Sequence, residues 1–125
     1  MNKEKNHQIL IVEDDFSMRT LLKKILEKEG YDIFEADEGE QALNCLKQNP
    51  GVSLIIADIR MPKKDGMALL KDVTEHHPEI RVILITAFGE VNQYLDAMNT
   101  GAFEYLNKPF KNQEILDLTK RALQE

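Results

Sequence analysis

The segment QILIVEDD, residues 8–15, ends an apolar run in three consecutive acids, Glu13, Asp14 and Asp15. Three other apolar or mixed runs also end in polar groups. SLIIAD delivers Asp58, VILITA delivers Thr86 and Ala87, and FEYLNKP delivers Lys108 and Pro109. Carboxylates brought together repel: two of them ~4 Å apart cost about 4 kcal/mol at an effective dielectric near 20. A hard divalent cation offsets that repulsion. Mg²⁺ takes oxygen ligands, keeps several waters, and binds through one or two carboxylates plus a phosphate. If Glu13, Asp14, Asp58, Thr86 and Lys108 meet, they can hold such an ion beside a phosphoryl group.

Whether they meet depends on the elements that carry them. Helical spacing of apolar residues marks residues 16–29 (Met18, Leu21, Leu22, Ile25, Leu26) and a second stretch around Ala42, Leu43 and Leu46. It recurs at Leu69, Leu70 and Val73, at Val91, Tyr94, Leu95 and Met98, and at Ile115, Leu118, Ala122 and Leu123. Gly30, Pro50-Gly51, Pro78 and Gly101 follow these stretches as helix stops do. Short strand candidates precede each: 8–12, 31–36, 53–57, 80–85 and 103–106. Strands alternating with helices through short loops predict a parallel sheet covered on both faces.

The runs ILIV, SLIIA and VILIT are apolar throughout, which places the first, third and fourth strands in the centre. YDIFEA and FEYL interleave charge, which places the second and fifth at the edges. The order 2-1-3-4-5 satisfies both, a doubly wound α/β arrangement with five helices on right-handed crossovers. Its sites form at the carboxyl ends of the strands, near the switch point between strands one and three. All the polar groups named above are delivered there.

Bulk properties narrow the classes. The 125 residues suit one domain, and the net charge of −6 argues against a nucleic-acid-binding surface. No apolar run reaches the ~18 residues of a membrane span, and the polar start MNKEKNHQ lacks a signal-peptide core. Cys45 is alone, which fits a reducing cytoplasm. Taken singly, each site residue has an ordinary reading: solvated loop acids for Glu13 and Asp14, a turn residue for Asp58, a β-branched strand residue for Thr86, an exposed lysine for Lys108. Asp15 reads as the cap of the first helix. His76 and His77 are adjacent, do not share a helical face, and read as solvated. Period two puts Phe103 and Tyr105 on one face of an edge strand, and Asn92, Gln93, Asp96, Asn99 and Thr100 give the fourth helix a polar outer face.

Together, ILIVEDD, IIADIRMPKKDG, VILITAFG and GAFEYLNKPF resemble the receiver domain of bacterial response regulators, in order and spacing, over residues 8 to about 123. The resemblance implies a flavodoxin-like fold and one receiver domain spanning 1–125. It implies a signalling domain rather than an enzyme, with at most slow self-phosphorylation and self-dephosphorylation. A sensor histidine kinase or histidine phosphotransfer protein would donate a phosphoryl group to Asp58. Asp14 would be a direct Mg²⁺ ligand (Mn²⁺ a substitute), Glu13 a ligand through water, and the Arg60 carbonyl a further one. Thr86 would be the switch hydroxyl, Lys108 the phosphoryl-pairing lysine, Tyr105 the switch aromatic, and Pro109 a cis-proline. Ala87 would leave room for the phosphoryl group. The helix 4–strand 5–helix 5 face would act on an output domain or partner, a phosphorylation-dependent dimer among them, with no nucleic acid or membrane contact.

Lys63 stands where many members of that family carry Gly, so the loop after Asp58 is a departure. TAFGEV and GAFEYLNKPF are similar to the nitrogen-regulation type, and KILEKEGYDIFEADEGEQAL to the stand-alone sporulation phosphorelay type. The rival reading from another class is a Mg²⁺-dependent phosphatase with an aspartyl nucleophile, but its D-x-D after the first strand is not matched by VEDDF. A flavin module of the same fold would need a Ser/Thr/Gly-rich phosphate loop where this chain has acids.

Overall fold

The computed structural model describes residues 6–61, 63–86 and 91–124, the side chains of 91–93 excepted. Five strands and five helices alternate: β1 (Gln8–Val12), α1 (Phe16–Glu27), β2 (Asp32–Ala36), α2 (Gly39–Gln48), β3 (Val52–Asp58), α3 (Gly66–His76), β4 (Arg81–Thr86), α4 (Val91–Thr100), β5 (Glu104–Asn107) and α5 (Asn112–Ala122). All neighbouring strands pair in parallel, in the order β2-β1-β3-β4-β5. The division by composition holds. Burial is near-continuous along β1, β3 and β4, while β2 and β5 alternate or stay half-exposed.

The pleat sends alternate side chains to two apolar layers. Leu10, Val12, Ile55, Ala57, Val82 and Leu84 pack with α2, α3 and α4 through Ala42, Leu46, Leu69, Leu70, Val73 and Ala97. Ile9, Ile11, Leu54, Ile56, Ile83 and Ile85 pack with α1 and α5 through Leu22, Ile25, Leu26, Ile115, Leu118 and Ala122. Helix ends follow local chemistry. Asp15 caps α1 by accepting from the Ser17 N–H at 3.2 Å, and Asp65 caps α3 from the Ala68 N–H at 2.9 Å. Gly30 and Gly101 leave α1 and α4 at positive φ, +93° and +126°.

Two expectations are corrected. Phe103 precedes β5, so strand period does not apply to it: it packs on the α1/α5 layer under the Arg81 guanidinium, 5.1 Å from the ring centroid. Tyr105, inside β5, packs on the opposite layer. The outer face of α4 is also not uniformly polar. Tyr94 and Leu95 are 42% and 64% exposed, and the buried contact is made by Ala97 with Met98 beside it. The Asn92 and Gln93 side chains, with Gly89, lie outside what is described.

Candidate functional site

Alternation along each strand explains why the site residues converge. Ile11, Ile56 and Leu106 all lie in the α1/α5 layer. Two residues further on, the same side of the sheet receives Glu13, Asp58 and Lys108. The parallel register sets β1, β3, β4 and β5 side by side, so these three positions fall at adjacent strand ends.

Lys108 closes the cluster. Its ammonium donates to Asp58 Oδ2 at 2.9 Å and lies 3.5 Å from Glu13 Oε1. Asp58 is 8% exposed, and its other oxygen, Oδ1, accepts from the Arg60 N–H at 3.1 Å. Glu13 is 2% exposed and its Oε2 accepts from the Asp15 N–H at 3.1 Å, but Oε1 is buried with no hydrogen bond. Asp14 is exposed and open to solvent.

The electrostatics follow from that burial. Desolvation pushes the Glu13 carboxyl up to about 7; the Asp15 N–H opposes the shift, the Asp58 charge adds to it, and Lys108 opposes it. For Lys108, burial works against the charged form. The hydrogen bond to Asp58 and the charges of Glu13 and Asp58 outweigh it and hold the ammonium above the usual lysine range. One lysine thus compensates two carboxylates incompletely.

Carboxylate oxygens of Glu13, Asp14 and Asp58 lie within 4.8 Å of one another. That donor set is all oxygen, and it includes one buried oxygen lacking a hydrogen bond. Both features fit a hard divalent cation such as Mg²⁺. Arg60 stands two residues past Asp58 and meets its carboxylate through the backbone N–H.

Thr86 ends β4 fully buried, and its carbonyl accepts from the Lys108 N–H at 2.7 Å. By register Thr86 shares a sheet face with Leu84 and Leu84's partner Tyr105. The Tyr105 ring meets Tyr94 of α4 edge-on, with centroids 5.5 Å apart and planes at 85°. The Lys108–Pro109 bond is cis, as the resemblance implies. Ala87 lies outside the described residues. Lys63 has φ +62°, so the loop after Asp58 does adopt there the conformation that favours Gly.

Three contributors were not singled out in the sequence. Gly66 is held against the backbone that follows Asp58: a Cβ there would sit 2.5 Å from the Asp58 carbonyl oxygen, and its N–H donates to the Ile59 carbonyl at 2.8 Å. Its signal is the Asp65-Gly66 pair opening a helix. Arg19 donates to the Glu13 carbonyl at 2.6 Å and pairs with Glu35 at 3.2 Å, steadying the acidic turn. Tyr94 shows in the sequence only as part of the helical spacing of α4, and its contact with Tyr105 depends on how α4 and β5 are brought together.

Comparison with known proteins is consistent along the whole sheet. The model of the response regulator receiver domain family matches residues 9–120. Sporulation initiation phosphotransferase F of Bacillus subtilis is 39% identical over 119 residues, 94% of this chain and 94% of that protein. The C4-dicarboxylate transport transcriptional regulatory protein DctD of Pseudomonas aeruginosa is also 39% identical, but the match spans 25% of its length. Among solved structures, a response regulator of Chloroflexus aurantiacus superposes with a TM-score of 0.90 at 32% identity, covering 97% of this chain and all of the other. The aspartyl-phosphatase reading gains no support from any of these.

Proposed function

The chain belongs to the response regulator receiver domain family, and on that premise we propose that Asp58 accepts a phosphoryl group from a histidine kinase or histidine phosphotransfer protein. The observation that carries this is the Lys108 ammonium set between Asp58 and Glu13 at the strand ends. An Asp58 carboxylate oxygen forms the new P–O bond as the P–N bond of a phosphohistidine breaks, and the imidazole leaves with the proton it needs from solvent. Lys108 then exchanges one carboxylate oxygen for a phosphoryl oxygen, keeping a charge-assisted hydrogen bond throughout. Glu13, Asp14 and Asp58, with the Arg60 carbonyl, would hold Mg²⁺ (or Mn²⁺), which when bound neutralises charge on the phosphoryl oxygens. The reaction is stoichiometric, a signalling event with at most slow self-dephosphorylation.

Readout runs through Thr86 and Tyr105. The Thr86 hydroxyl reaches a phosphoryl oxygen only by moving toward Asp58, which frees space on the face it shares with Tyr105. Tyr105 turning inward would break its edge contact with Tyr94 and shift α4, whose Tyr94 and Leu95 are exposed. The α4–β5–α5 face therefore serves an output domain, a downstream protein or a second phosphorylated copy, with no direct contact to nucleic acid. No described helix is long and apolar enough to cross a membrane. A cytoplasmic location and a single receiver domain with its core at about 8–123 go with this reading. Phosphoramidate, a small P–N donor, tests it: the chain should acquire a hydroxylamine-labile phosphoryl group that borohydride reduction maps to position 58. A hydroxylamine-stable phosphate, or a reduced residue elsewhere, would sink it.

A further inference from the structure

We propose that the last turn of α3 carries a second cation site, formed by Asp72, Glu75 and His76 and suited to a borderline divalent transition ion such as Zn²⁺. It is independent of the phosphoacceptor reading and lies on α3, apart from the strand ends.

Glu75 and His76 stand at i+3 and i+4 from Asp72, so each is its neighbour on the helix surface and the two flank it. Their ligand atoms all fall within 4.8 Å of one another. The His76 ring is already oriented. Its Nδ1 lies 3.1 Å from the Asp72 carbonyl oxygen, which can only accept, so in the neutral ring Nδ1 carries the proton and Nε2 is the nitrogen left to bind an ion. A backbone carbonyl holding one ring nitrogen is the usual support for an imidazole that binds metal through the other.

Two features of the surroundings favour an ion. Helix α3 ends at His76 with His77 as its C-cap, and the carbonyl end of a helix attracts positive charge. Asp72, His76 and His77 also line one cavity of about 410 Å³ between α2 and α3, with Glu40, Asn44 and Lys47 on its α2 side and Glu75 outside it. His77 has left the helix as its C-cap, so helical spacing does not govern it, and it lines the same cavity as the exposed His76.

One group competes. The Lys64 ammonium lies 2.6 Å from Asp72 Oδ2, leaving Oδ1 for an ion. The pair is solvent-accessible on both sides, and such pairs are weak enough for a divalent ion to displace. Mixed imidazole and carboxylate donors select Zn²⁺, Cu²⁺ or Ni²⁺ over Mg²⁺, whereas the Glu13–Asp14–Asp58 cluster is all oxygen. The two sites therefore differ in the metal they prefer.

The test is Zn²⁺ titration of the Asp14→Asn/Asp58→Asn protein in excess Mg²⁺, followed by NMR of the histidine ring nitrogens. Saturable movement of the His76 Nε2 signal is expected. His76→Gln and, separately, Asp72→Asn should weaken Zn²⁺ binding by at least about tenfold, since losing a ligand costs no less than losing its outer support. Both side chains are solvent-accessible, and unchanged amide spectra would confirm that the fold is intact. Zn²⁺ affinity unchanged in His76→Gln, or no saturable His76 shift at all, would overturn the site. So would Zn²⁺ binding that disappears with the Asp14 and Asp58 carboxylates, since the ion would then belong to the other cluster.

Discussion

The Lys108 ammonium hydrogen-bonds Asp58 Oδ2 at 2.9 Å while standing 3.5 Å from Glu13 Oε1, so one cation just past β5 holds together an acid just past β1 and the acid that ends β3. Removing it leaves two buried carboxylates without their counter-charge. We predict that Lys108→Ala destabilises the metal-free protein by about 1–2 kcal/mol, less than for a fully buried pair because the lysine is partly exposed. Mg²⁺ should recover part of the loss. Urea denaturation with and without Mg²⁺ measures both, and a variant as stable as wild type in chelator would contradict the role given to Lys108.

Glu13 makes stability pH-dependent. Its folded pKa, about 7, is above its ordinary value of 4.5, so the native state holds this proton more tightly than the unfolded chain. The resulting stabilisation is fully present below the unfolded value and is lost as pH rises through the folded one. In chelator, Glu13→Gln should therefore gain stability relative to wild type between about pH 4.5 and about pH 7, and exceed it above that. Parallel stability curves for the two proteins across that window would show that Glu13 does not titrate as described.

The acidic cluster should respond to Mg²⁺. A ligand of the native state adds RT ln(1 + [L]/Kd), about 2.7 kcal/mol at a hundredfold excess over Kd. Mg²⁺ should raise the thermal midpoint of the wild type, and Asp14→Asn should blunt the rise while stabilising the metal-free protein. An undiminished Mg²⁺ response in Asp14→Asn would exclude this residue from the metal site.

Lys63 at φ +62° bears a steric cost that glycine lacks. Its Cβ is strained, but glycine loses more entropy on folding, so the two effects partly cancel. Lys63→Gly should gain about 0.5–1 kcal/mol. Denaturant midpoints decide the sign; a destabilised variant would mean that the Lys63 side chain contributes more than the backbone strain removes.

Coupling through Thr86 is visible by NMR with beryllofluoride, a phosphoryl mimic. Shifts should extend from Asp58 through Thr86 to Tyr105, Tyr94 and Leu95, and Thr86→Ala should confine them to the strand ends. Changes that remain local in the wild type would remove the proposed route to α4.

Much of this was legible because burial on two sides leaves a plain mark. β1, β3 and β4 had to be central, since nothing polar interrupts them, and edge charge in β2 and β5 then left one natural order. The strand-end residues followed from topology. What periodicity does not convey is the direction a stripe faces. Val91, Tyr94, Leu95 and Met98 have helical spacing, yet the small side chain of Ala97 makes the buried contact and lets Tyr94 meet Tyr105 at the surface. The close approach of Gly66 to the Asp58 backbone, and the turn of His77 toward the α2–α3 cavity, depend on distances between segments far apart in sequence. Glu13's burial belongs with them: its neighbour Asp14 is the same kind of residue and is exposed, and only the pleat separates the two.

The central claim is that Asp58 alone accepts the phosphoryl group. Intact-mass measurement after incubation with acetyl phosphate and Mg²⁺ tests it most directly. The account predicts one phosphoryl adduct on the wild type, none in chelator, and none on Asp58→Asn. An adduct on Asp58→Asn at the wild-type level would contradict it.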